Sequence, residues 1–210
     1  MSGLADEPAQ RPVVSSETPY VGRLFAMRKD VVALDDEEVV RDYLVHPGAV
    51  GIIAIDETDR VLLVHQYRHP VRARLWEPPA GLLDVPGEDP LVAARRELHE
   101  EAHHRASDWR VLVDAFTSPG CSNESVRLYL ARDLTPVGDD DRHVGFHEER
   151  DMPVDWVHLD EVVAQVLAGH LHNPLLIMGA MAATAARAAG WAGLRPADAP
   201  WPSRPSPVRQ

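Results

Sequence analysis

The chain has 210 residues, 45% of them hydrophobic and 26% charged, with a formal net charge of -12 at pH 7. That supplies one main core plus additional segments in an ordinary globular protein, and excludes disordered and fibrous classes. The acidic balance excludes a sequence-independent grip on nucleic acid, which needs a basic surface, but leaves open chemistry on a small phosphorylated molecule held by a few arginines and cations.

Residues 1–17 carry acidic side chains, Pro and Ser with no apolar stretch. They read as a flexible tail, with neither a secretory signal nor a basic transit peptide. Val21 to Leu34 and Glu38 to His46 then alternate apolar with polar residues, as half-buried strands do, so residues 18–47 predict a small leading antiparallel β unit. Pro47-Gly48 marks a turn, followed by strands over Ala49–Ile55 and Val61–Tyr67. Further strands are expected over Trp109–Phe116, Ser125–Ala131 and Val154–Leu159. Helices are expected from Pro90 to about His104, from Asp160 to about Ala168 and from Pro174 to about Ala189. For the last, Asn173 is a good N-cap, Pro174 stands where its missing N–H costs nothing, and Gly190 can close the end.

Residues 191–210, with Pro202, Pro205 and Pro207, read as a proline-rich mobile tail. The whole is an α+β pattern, with residues 48–190 as the main domain. Leu175 to Ala186, the longest apolar stretch, is too short to span a bilayer. Cys121 is the single cysteine, which rules out an intrachain disulfide and suits a reducing, cytoplasmic setting. The histidines show no spacing with cysteines or carboxylates that suggests zinc.

The chemistry concentrates in Ala80-Gly81-Leu82-Leu83-Asp84-Val85-Pro86-Gly87-Glu88 and the helix behind it, Ala93-Ala94-Arg95-Arg96-Glu97-Leu98-His99-Glu100-Glu101. At about 100° per residue, Leu91, Ala94, Leu98 and Ala102 form a core-facing stripe of roughly 80°. Glu97, Glu100 and Glu101 project elsewhere, with Glu97 and Glu101 one turn apart. Such a group is either a solvated face paired to Arg96 and other arginines, or a face that collects a hard divalent cation, which turns mutual repulsion into binding.

The whole string resembles the Nudix box, matching at Gly81, Glu88, Arg96, Glu97, Glu100 and Glu101, with apolar Leu98 between them. It departs in two places: the Gly81–Glu88 interval is longer by one residue, and His103 and His104 stand where a glycine and an aliphatic residue usually close the box. Histidine accepts a left-handed backbone better than most non-glycine residues, so the helix end is expected to survive. Within Nudix hydrolases the chain resembles the ADP-ribose pyrophosphatases, through Ser118-Pro119-Gly120 beyond the box and Gln66-Tyr67-Arg68 before it. This implies an α/β/α sandwich, a leading β domain exchanged between the subunits of a homodimer, and a nucleoside diphosphate substrate.

By the same resemblance, the Ala80 carbonyl and the carboxylates of Glu97 and Glu101 are expected to hold Mg²⁺ (or Mn²⁺), with Glu100 assisting and Arg96 orienting the glutamates. Glu149 in His147-Glu148-Glu149-Arg150-Asp151-Met152 is expected to activate water, with Glu148 the alternative. Arg68, Glu77, Pro119 and Gly120 are expected at the substrate. Hydrolysis of ADP-ribose to AMP and ribose 5-phosphate is the implied reaction. The competing readings are a Nudix hydrolase for a nucleotide sugar or dinucleotide, and a non-catalytic ADP-ribose-binding module. The module would want a lost acidic residue in the box and a basic DNA-binding domain after it, whereas Glu97, Glu100 and Glu101 all remain.

Overall fold

A computed structural model describes residues 3–138 and 152–205. Eleven strands and three α-helices lie along these residues. The leading sheet is β1 (Val13–Val21), β2 (Ala26–Leu34) and β3 (Glu37–Val45), antiparallel in that order. Then follow β4 (Ala49–Ala54), β5 (Arg60–Arg68), β6 (Ala73–Glu77), β7 (Ala80–Leu82), helix α1 (Pro90–Ala102), β8 (His104–Phe116) and β9 (Ser125–Pro136). Strand β10 (Val154–His158), α2 (Leu159–Leu167), α3 (Pro174–Ala188) and the short β11 (Arg195–Pro196) complete the chain.

Two sheets make the main domain, one ordered β10-β5-β6 and the other β11-β8-β9-β4-β7, with β4 and β9 parallel at its centre. A strand whose residues are buried on both faces must sort them between two layers. Strand β4 does so, with Val50, Ile52 and Ala54 packing in a cluster with Ala94 and Leu98 of α1, and Ile53 in another with Leu159, Val162, Leu176 and Ala180 of α2 and α3. Strand β9 repeats the alternation, sending Tyr129 and Ala131 to the first cluster and Leu130 to the second. The result is the expected α/β/α sandwich, with α1 on one side and α2 and α3 on the other.

The predicted elements appear with small boundary shifts, and four strands are additional. Strand β1 begins at Val13, inside the stretch read as tail, because Val13↔Val32 through Val21↔Ala26 pair with β2, a partnership that local composition does not reveal. Strands β6 and β7 are too short or too polar to show a period-two pattern, yet each pairs in register, β6 with β5 and β7 with β4. The closing segment is a correction to the mobile-tail reading. Strand β11 pairs with β8, and Arg127, 2% exposed, donates Nη1 to the Ala199 carbonyl at 2.7 Å and Nη2 to the Pro200 carbonyl at 3.0 Å. Residues 206–210 of the predicted tail lie outside the described residues.

Helix α3 has its predicted ends: the Asn173 side chain accepts from the Leu176 N–H at 3.0 Å, and Gly190 takes a left-handed φ of 63° beyond the last turn. Among the described residues no helix is long and apolar enough to cross a membrane.

Candidate metal-binding and catalytic site

Helix α1 owes its start to Asp89 and Pro90. The Asp89 carboxylate accepts the Leu91 N–H at 2.9 Å, and Pro90 occupies the first helical position. Its end is set by His103, which adopts the left-handed φ of 53° and returns its N–H to the carbonyls of His99 and Leu98. The histidine therefore serves as the left-handed closing residue. Ala93, Ala94, Leu98 and Ala102 are buried inward, close to the predicted stripe. That inward face fixes the rotation of the helix, and the remaining side presents Arg96, Glu97, Glu100 and Glu101.

Arg96 gathers that side. Its Nη1 donates to Glu97 Oε1 at 2.6 Å and to Glu100 Oε2 at 3.1 Å, while Nε and Nη2 donate to the two oxygens of Glu88 at 3.1 and 3.2 Å. The guanidinium is held more firmly protonated than usual, first by the hydrogen bond to Glu88 and, against partial burial, by Glu97 and Glu100. Glu88 lies eight positions before Arg96, across the β7–α1 loop, so the same arginine ties the loop to the helix. Glu101 ties the helix to β7 itself, accepting the Ala80 N–H at 3.0 Å. Any side chain at position 81 would overlap the Glu97 carboxylate, so Gly81 leaves the space in which that carboxylate sits against β7.

The structure thus brings together Ala80, Arg96, Glu97, Glu100 and Glu101, as expected, and adds Glu88 as the main partner of Arg96. Sequence reasoning placed Glu88 in the box without giving it a role, since helical periodicity does not extend across a loop. Among the described residues no three His, Cys, Asp or Glu side chains close into a finished cation cage. Arg96 instead takes up oxygens of Glu88, Glu97 and Glu100. The donor set still fits a hard divalent cation: carboxylates in a row along one helix, next to a strand whose backbone they grip, with Glu97 seated where a Cβ would otherwise be. Glu148 and Glu149 lie outside the described residues.

Arg68 and Glu77 meet each other. Arg68 Nε donates to both Glu77 oxygens at 3.0 and 3.2 Å and Nη2 donates to Oε2 at 2.6 Å. Glu77 is buried, 2% exposed, whereas the Arg68 side chain is 44% exposed. A buried carboxylate therefore orients a half-open guanidinium.

Pro119 and Gly120 stand elsewhere, in the β8–β9 loop, lining a cavity of about 430 Å³ with Arg41, Asp42, Tyr43 and Phe116. This loop carries the joint to the leading sheet: the Leu44 N–H donates to the Cys121 carbonyl at 2.9 Å and the His46 N–H to Asn123 Oδ1 at 2.7 Å. His46 also faces Glu124, with Nδ1 3.4 Å from Oε1. Burial lowers the His46 pKa and Glu124 only partly restores it.

Comparison with known proteins matches residues 45–176 to the NUDIX domain. The chain is 46% identical over 194 residues to an ADP-ribose pyrophosphatase of Mycobacterium tuberculosis, covering 92% of each chain. It is 32% identical over 165 residues to a methanol dehydrogenase activator of Bacillus methanolicus, covering 78% of this chain and 87% of that one. Among solved structures, an ADP compounds hydrolase superposes with a TM-score of 0.71 at 21% identity, covering 89% of this chain and 99% of that one. That last likeness establishes the fold alone.

Proposed function

Since the chain belongs to the Nudix family, we propose that it hydrolyses the diphosphate of ADP-ribose to AMP and ribose 5-phosphate, using Mg²⁺ or Mn²⁺. The observation that carries this reading is the carboxylate row of Glu97, Glu100 and Glu101, with Arg96 holding Glu97 and Glu100 to Glu88 and Glu101 accepting the Ala80 N–H. Its near full-length similarity to an ADP-ribose pyrophosphatase supports the choice of substrate.

Glu97 and Glu101, with the Ala80 carbonyl, would hold the cations, and Glu100 would assist. Bound divalent ions supply charge neutralisation at the diphosphate. Arg96 orients Glu97 and Glu100 as their hydrogen-bond partner, the supporting role beside a metal site. Arg68, aimed by Glu77, is the contact for a phosphate or ribose oxygen, which makes Glu77 its positioning partner rather than a group that touches the substrate. Pro119 and Gly120, in the β8–β9 loop, are substrate contacts by the family likeness alone. Glu149 activates the attacking water, with Glu148 as its alternative, an assignment that rests on sequence alone.

We propose further that the protein acts as a homodimer that exchanges its leading sheet. In support, Val13, Val14, Tyr20 and Val21 of β1 and Val40 of β3 are all exposed, leaving an apolar surface on a three-stranded sheet. The single free Cys121, which is exposed, suits the reducing cytoplasm.

The test is an assay of ADP-ribose with Mg²⁺ or Mn²⁺, with chelator as the control and products identified. AMP and ribose 5-phosphate in equal amounts, lost on chelation, are expected. A clear preference for GDP-mannose or NADH would overturn the choice of substrate.

A further inference from the structure

The segment after α3 lies outside the stretch that matches the NUDIX domain, yet it reaches the β7–α1 loop from two sides. Arg204 Nη2 donates to the Glu88 carbonyl at 2.9 Å. Pro205 lies over Gly48, where a Cβ would come within 3.1 Å of its ring. The Gly48 carbonyl in turn accepts the Leu83 N–H at 3.0 Å. Leu83 and Glu88 bracket the loop that precedes α1, and Glu88 is the residue whose carboxylate grips Arg96.

The segment is itself anchored. Arg127 is spent on Asp114, at 2.8 Å from Nε and 3.0 Å from Nη2, and on the carbonyls of Ala199 and Pro200. The Trp201 ring lies 4.9 Å from the same guanidinium, and its Nε1 donates to Ser203 Oγ, which meets Ser125 Oγ at 3.2 Å. Ala197, Ala199 and Trp201 pack against the same apolar cluster as Ala94 and Leu98 of α1. A passive tail would not enlist a buried arginine, whose unmet donors are costly.

We propose that the 195–205 segment is a brace that positions the β7–α1 loop, with Arg204 as its positioning residue. The inferred path runs from Arg204 to the Glu88 backbone, from the Glu88 carboxylate to Arg96, and from Arg96 to Glu97 and Glu100. Its effect on cation binding rests on the metal-site reading above; its effect on the loop does not.

Five proteins decide the matter: the full chain, its Arg204→Ala, Arg204→Lys and Glu97→Gln variants, and a chain stopped after Pro202, which keeps the Arg127 anchor. In the metal-free proteins, hydrogen exchange of the 83–89 amides is expected to quicken by about fivefold in Arg204→Ala, the size of effect that loss of one hydrogen bond gives. It should quicken further in the shortened chain, with β4 and β9 unchanged. Calorimetric Mn²⁺ affinity should fall by about tenfold in the shortened chain, as for loss of an outer positioning partner, with kcat reduced and KM for ADP-ribose held. Arg204→Lys, which retains a donor, should recover most of the loop protection.

Loop exchange in Arg204→Ala equal to that of the full chain overturns the brace, even if the shortened chain fails to fold. Mn²⁺ bound equally by Glu97→Gln and the full chain would instead overturn the metal site, and loop exchange would still decide the brace.

Discussion

Strands β1 and β4 are both apolar enough to be sheet formers, yet all nine residues of β1 are exposed and all six of β4 are buried. Strand β4 has β7 and β9 at its sides, α1 on one face and α2 and α3 on the other. Among the described residues, strand β1 has β2 alone. Apolar composition makes a strand possible; the number of layers around it decides whether it is core or interface. The main domain holds its own core, whereas the leading sheet leaves Val13, Val14, Tyr20, Val21 and Val40 exposed.

That contrast is open to attack at several points. The largest effect is expected in the main domain at Arg127, which is 2% exposed and paired to Asp114. Burial works against its charge, but Asp114 and, after it, Tyr129 together keep the pKa raised. Arg127→Met strips Asp114 of the partner that bonds both its oxygens and should cost about 3 kcal/mol in urea unfolding, near the low end for a broken buried pair because Arg195 remains beside Asp114.

Next come the box carboxylates, to which the proposed function gives a role in chemistry rather than packing. Glu97→Gln and Glu101→Gln should lower turnover by about a hundredfold or more. Their Tm should stay within about 4 °C of the parent, the shift given by roughly 1 kcal/mol in a domain this size. Near-normal activity in both variants would reject the metal assignment.

A smaller effect belongs to the leading sheet. Val14→Asp or Tyr20→Asp should weaken self-association by about tenfold, since covering one large apolar side chain is worth at least about 1.5 kcal/mol. Sedimentation velocity would measure it, and the melting of the main domain should hardly move. An unchanged association constant would remove β1 from the subunit interface.

The smallest effect is at the joint between the two regions. His46 titrates below its ordinary value of about 6.5 because it is buried, with Glu124 opposing only in part. The unfolded chain therefore takes up a proton at His46 before the folded one does. The stability that the neutral imidazole contributes is present above about pH 6.5 and is lost as pH falls from there through the folded pKa. Chemical denaturation from pH 7.5 to 5 should show this added slope in the parent and not in His46→Gln.

Much of this was legible in advance. Helix α1 begins at Pro90 and closes at a histidine in the left-handed conformation, as its sequence suggested, because caps are local chemistry. The carboxylate row was legible for the same reason, since residues one turn apart share a face. The pairing of Arg68 with Glu77, nine positions away, was not, and neither was the closing segment held by Arg127 more than seventy residues earlier in the chain. Proline-rich composition describes a chain that cannot form regular structure, but says nothing about whether another element will hold it by its carbonyls. Strand β1 was not legible because its paired residues, Val13 through Val21, include Pro19 and a run of Ser and Glu, and its pairing is with β2.

The pairing of β1 with β2 slips twice, between Val13 and Ser15 and again between Glu17 and Tyr20. Each slip breaks the even spacing of amides along the outer rim of the leading sheet, and Pro19 has no amide to offer there. An incoming strand would find only short runs to zip against. On the proposed dimer, an edge interrupted in this way favours face-to-face pairing with one companion over stacking edgewise into an endless filament.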